Sequence, residues 1–138
     1  MTAAELPGLI ITGQDDRLRS LLADVLREGG FSLAVLGDRD GFPVASAVAP
    51  AEQAEARAAA VALLQRSATE ARAQLGLGTT DEIMLHDDLG RRLVCRPFRA
   101  GENDLILIVL VPGRRQPYRK VTNRALRDIQ RILEPDGE

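Results

Sequence analysis

Apolar positions early in the chain recur with a helical period. Leu18, Leu21, Leu22, Val25 and Leu26 stand at i, i+3, i+4, i+7 and i+8, one face of a 3.6-residue repeat. A helix is therefore predicted within "TGQDDRLRSLLADVLREGG". Thr12 is its expected N-cap, Asp15 and Asp16 suit the positive end of its dipole, and Gly29 and Gly30 close it. The pattern then changes. "FSLAVLG" and "FPVASAV" are short β-prone runs on either side of "DRDG", which predicts a hairpin. Pro43 cannot donate to a ladder, so the second strand is expected at a sheet edge.

A long helical pattern follows, from about Ala51 to Leu75, with Pro50 before it and Gly76 after it. Its apolar arc spans roughly half the circumference, whereas packing on one sheet needs about a 100° stripe. Val61, Leu64, Ala68 and Leu75 form one side of the arc. Ala56, Ala60, Leu63 and Ser67 form the other, a row of small residues suited to close approach of a second helix. The plainer alternative is that these positions face solvent and alanine merely favours helix.

"DEIMLHD", "RRLVCRPF" and "DLILIVLV" predict three further strands joined by "DDLG" and "RAGEND". Leu105 to Val111 is apolar throughout and should lie centrally, covered on both faces. Arg92, Val94 and Arg96 alternate with Leu93, Cys95 and Pro97, as in a half-exposed strand. The last helix begins near Pro117 and stops at Pro135. Tyr118, Val121, Ala125, Ile129 and Ile132 make its apolar face, and Lys120, Arg124, Arg127 and Arg131 a basic stripe. The element order is α-β-β-α-β-β-β-α. The fold class is an α/β sandwich, a five-stranded antiparallel sheet with helices on both faces. Residues 1–11 read as a leader, 12–134 as a single domain and 135–138 as a tail.

Composition narrows the function classes. The 138 residues are 45% hydrophobic and 28% charged, with a net charge of −2, the balance of an ordinary soluble domain. Nucleic acid is not an expected partner of an acidic chain whose one basic stripe lacks interleaved aromatic residues. The single cysteine, Cys95, permits no internal disulfide and fits a reducing compartment. No signal peptide and no transmembrane segment is read, and a cytoplasmic location is expected.

Candidate chemistry is sparse. Asp38 and Asp40 do not fit a calcium loop, because glycine follows the second Asp directly and no glutamate arrives until Glu52. They suit a turn, and Asp87 to Gly90 repeats the design. His86 lacks a second histidine and Cys95 a second cysteine for a zinc site. The two could act as a nucleophile pair only if the strands brought them together. No phosphate-cradling or nucleophile-elbow motif occurs. The expectation is no enzyme activity, no cofactor and no metal. The basic stripe could meet phosphate, anionic lipid or an acidic protein, or simply be solvated.

Taken together, the glycine-ended first helix, "FSLAVLGDRDGFPVASA", the Ala-rich helix, "DEIMLHDDLGRRLVCRPF" and the all-apolar strand resemble the Roadblock (dynein light-chain) family. The resemblance covers about residues 14 to 133 and carries no catalytic signature. It implies a profilin-like sandwich with strand order 2-1-5-4-3. It also implies a homodimer or Roadblock heterodimer in which the third strand pairs across a two-fold axis and the long helices pack together. On that basis Ala56, Ala60, Leu63, Ser67, Ile83 and Leu85 are the expected interface residues. Lys120, Arg124, Arg127 and Arg131 are the candidates for binding a further partner. Bacterial members look like regulators of Ras-like small GTPases in cell polarity or gliding, some of them stimulating GTP hydrolysis. The resemblance thus implies a non-enzymatic dimeric GTPase regulator. The alternative is a structural scaffold that pairs with other Roadblock domains or a response regulator.

Overall fold

The computed structural model describes residues 10–40, 42–48 and 54–134. Nine elements follow in order: β1 (Ile10–Gly13), α1 (Asp16–Gly29), β2 (Leu33–Asp38), β3 (Pro43–Val48), α2 (Ala54–Leu75), β4 (Ile83–His86), β5 (Arg92–Ala100), β6 (Asn103–Val111) and α3 (Arg119–Leu133). All pairings are antiparallel, and the strands run in the order β1-β3-β2-β6-β5-β4. Without β1 this is the expected five-stranded order.

The sixth strand corrects two expectations. Ile10 and Ile11, assigned to a leader, join the sheet, and Thr12 pairs with Ser46 instead of capping a helix. The cap of α1 is Asp15, whose carboxylate accepts from the Arg17 and Leu18 backbone N–H groups. In addition, β3 is not an edge strand, because β1 flanks it. Pro43 is still accommodated. The β1 ladder ends at the Gly13–Ala45 pair, so Pro43 lies beyond its last rung. Gly13 itself is required there, since a Cβ would come 2.9 Å from that of Ala45.

The two predicted aspartate turns are built alike. Asp38 Oδ1 accepts from the N–H groups of Asp40 and Phe42, and Asp87 Oδ1 from those of Leu89 and Arg91. Each side chain closes its hairpin by satisfying the backbone two and four residues on. At the end of α1, Gly30 takes the left-handed conformation (φ 66°) that glycine adopts without steric penalty.

The sheet separates two apolar layers. On one side α1 and α3 pack over Ala34, Leu36, Val94, Leu107 and Val109, with Leu22 and Ile129 fully buried between. On the other side Val61 of α2 packs on Leu33, Val35, Cys95, Ile106 and Ile108. Strand β6 supplies alternate residues to both layers, as its unbroken apolar run predicts. The arginine face of β5 is not exposed as expected. It lies beneath α3, where Arg96 is only 6% exposed. Guanidinium–side-chain hydrogen bonds, described below, make that burial tolerable.

Candidate functional site

Strand β4 ends the sheet, and among the described residues it pairs with β5 alone. A free edge of this kind invites a partner strand. Helix α2 lies over the adjoining sheet face, and among the described residues it is the only helix doing so. Its own Val61 and Ala62 are buried. Its opposite side is open: Leu63 is 57% exposed, and Ser67 and Ala71 are exposed as well. Of the row Ala56, Ala60, Leu63 and Ser67, the described Leu63 and Ser67 face outward. The side chains of Ala56 and Ala60 lie outside the described residues.

The two β4 residues proposed for an interface divide. Leu85 is 48% exposed, while Ile83 is half-buried against the α2-side layer. Beside them a hollow of about 340 Å³ is lined by Leu33, Leu85, Leu93 and Leu110 together with His86, Asp87 and Arg91. Exposed apolar side chains thus stand both on the outward side of α2, at Leu63, and at the sheet edge, at Leu85. Leu75 departs from expectation. It is 71% exposed, not buried with Val61.

On the other side of the molecule, Lys120, Arg124, Arg127 and Arg131 of α3 are all exposed. The stripe is partly neutralised: Arg124 pairs with Glu28 of α1, and Arg131 with Asp128 at 3.1 Å. Lys120 and Arg127 have no ion partner among the described residues. The structure brings the stripe together on one helix face but places it away from the α2 row, on the opposite side of the sheet.

A polar cluster links the two regions, and sequence reasoning missed it. Arg96 Nη1 donates to Thr122 Oγ1 at 2.9 Å and to Asn123 Oδ1 at 2.6 Å. Its guanidinium also lies 3.9 Å from Asp81 and 4.0 Å from Glu82, the residues leading into β4. Arg119 of α3 reaches the same two carboxylates. The Tyr118 hydroxyl donates to Glu82 Oε2 at 2.9 Å, and burial together with this bond raises the phenol pKa. The start of α3 is thereby fastened to the start of the edge strand. No local pattern marks these residues, since the partners of Arg96 lie 26 and 27 positions away.

His86 and Cys95 do not meet. Register sets Cys95 opposite Ile83 and His86 opposite Arg92. Cys95 is buried, and burial, then the nearby Glu82 charge, pushes its thiol up to about 12. That holds it as an unreactive thiol. Among the described residues no group of three or more His, Cys, Asp or Glu side chains could hold a metal ion. Likewise no described helix is long and apolar enough to cross a membrane.

No family model matches the chain, and no curated protein matches it. Solved structures do. The gliding protein MglB from Thermus thermophilus is 25% identical and superposes with a TM-score of 0.72, covering 94% of this chain and 98% of that one. An MglB structure described as having a tetrameric arrangement is 26% identical with a TM-score of 0.69, over the same shares. A Roadblock/LC7 domain from Streptomyces avermitilis shares the fold at 19% identity and a TM-score of 0.66, over 81% of this chain and 91% of that one.

Proposed function

We propose that the chain is a Roadblock-family domain that works as a non-enzymatic, self-associating regulator and binds a Ras-like small GTPase. The similarity to MglB supports a regulator of the gliding or polarity kind. The observation that carries self-association is the exposed outward side of α2 together with the free edge of β4. Leu63 and Leu85 are both about half exposed there, on a sheet edge with unused backbone hydrogen bonds. Two copies related by a two-fold axis would pair β4 with β4 and lay α2 beside α2. Such an isologous contact closes both exposed features at once.

Binding of a GTPase rests on the family likeness and on where the charges fall. A regulator that only repositions the GTPase's own loops needs a firm surface and no catalytic group of its own. The exposed Lys120 and Arg127 offer such a surface an electrostatic anchor that Arg124 and Arg131, already paired, do not.

The test is capture of partners on the immobilised protein, with the extract split into GDP-loaded and GTP-analogue-loaded halves. A Ras-like GTPase retained only in the GTP-analogue half supports the reading, and turnover assays with that GTPase then ask whether hydrolysis is stimulated. Capture of other Roadblock proteins or a response regulator from both halves, with no GTPase, assigns a structural scaffold instead.

A further inference from the structure

The C-terminal half of α2 does not close on the sheet. Between them lies a cleft of about 820 Å³, within the size range of small-molecule sites. Pro97 and Ile106, on the α2 side of the sheet, lie on one wall, and Gln65, Arg66 and Arg72 of α2 on the other. Arg39 and Arg99 approach its end, beside Asp104.

The charges in the cleft do not balance. Four arginines line it against two carboxylates, Asp104 and Glu70, in a chain whose net charge is negative. Arg39 and Arg99 share Asp104 at 3.9 and 4.0 Å, too long for hydrogen bonds. Arg66 and Arg72 have no ion partner among the described residues. Gln65 adds a second sign of an absent group. Its Oε1 is buried and accepts no hydrogen bond. An acceptor so placed usually has a donor.

We propose that this cleft binds a small organic phosphate of about nucleotide size. A phosphate monoester carries close to two negative charges and accepts paired guanidinium hydrogen bonds. That matches the excess of two arginines over carboxylates. An apolar or aromatic body would lie against Pro97 and Ile106, and an N–H or O–H of that body would satisfy Gln65. This inference stands apart from GTPase binding and needs neither partner nor self-association.

The test uses adenosine 5′-monophosphate as the probe and adenosine as its uncharged counterpart, titrated into the intact protein by calorimetry and by amide NMR. The expected result is saturable binding of the monophosphate, with shifts at residues 65–73 and 97–106. The double variant R66Q/R72Q, altered at two cleft-lining side chains without an ion partner among the described residues, should keep its fold and bind at least about tenfold more weakly. Adenosine should lose a similar factor. Three results would overturn the proposal: no saturation in the millimolar range, equal binding of adenosine, or full affinity in R66Q/R72Q. So would occupation by a second copy, seen as no probe binding together with altered self-association in R66Q/R72Q.

Discussion

Replacing Leu63 with serine isolates the contribution of the outward row of α2. Fully burying a leucine side chain is worth about 1.5–3 kcal/mol. Leu63 is 57% exposed in the single chain, so that fraction remains to be buried by a partner. Its burial is worth about 1–1.5 kcal/mol in each copy. A two-fold axis counts the residue twice, giving about 2–3 kcal/mol, or roughly 30–150-fold in the dissociation constant. Within one chain the substitution should cost little, about 0.5 kcal/mol or less, because the side chain is already in water. Sedimentation equilibrium over a concentration series reads the constant directly, and far-ultraviolet circular dichroism checks the fold. Leu63→Arg is the harsher form: it sets two unpaired cations against each other in the seam and should leave only monomer at micromolar concentration. A Leu63→Ser constant within about threefold of the parent's would refute the reasoning, since that corresponds to only about 0.6 kcal/mol. The contact would then lie elsewhere.

Three other outcomes are expected. Arg96→Ala strips the hydrogen bonds to Thr122 and Asn123 and leaves Glu82 in a pocket without its nearest buried cation. It should cost about 3 kcal/mol in urea unfolding, with Arg96→Met recovering part through its retained stem, and a loss below about 1 kcal/mol would sink this account. Cys95 should stay unmodified by a disulfide reagent at pH 8 in the folded protein and react at once in denaturant; rapid labelling of the native state would contradict its burial. Acid should act through the Asp15 cap and the Asp87 turn. The Arg17 guanidinium, ahead of the backbone bonds, lowers the pKa of Asp15. At Asp87 partial burial pushes upward, but the N–H and guanidinium of Arg91 and the Leu89 N–H together outweigh it. Both folded values lie below the ordinary 3.8, so the stability they supply is complete above that pH and is lost as pH falls through the lower values. Asp15→Asn and Asp87→Asn should therefore flatten the acid limb of a stability–pH curve, and an unchanged limb would remove these groups from the explanation.

Much of the architecture is legible in the sequence because burial imposes strict periods. Leu18, Leu22, Val25 and Leu26 could sit on one face only of a helix, and the unbroken run Leu105–Val111 could sit only between two layers. The aspartate turns were equally plain, since the side chain acts on residues two and four positions away. Strand β1 was not, for four residues give too few alternations to reveal a period of two. Its place depends on Gly13 approaching Ala45, a contact between distant segments. The burial of Arg96 was hidden for a related reason. Alternating Arg and Val residues look like a wet strand unless one knows that Thr122 and Asn123 will arrive overhead. The cleft under α2 had no signal at all, because Arg39, Arg66, Arg72 and Arg99 gather from three separate segments.

The unequal cover of the sheet bears on how the molecule opens. Helices α1 and α3 share one apolar layer and brace each other through it, and the Arg124–Glu28 pair joins them again at the surface. Helix α2 has no such neighbour among the described residues. Lifting it away uncovers Val61 and the layer beneath while leaving the other side of the sheet whole. Local opening of α2 should therefore be the least costly excursion from the native state, and its amides the first of the helical ones to exchange with solvent. Any partner that seats on α2 draws the equilibrium back by mass action. The exchange rate of that one helix then becomes a gauge of occupancy, slowing as protein or partner concentration rises while α1 keeps its own pace.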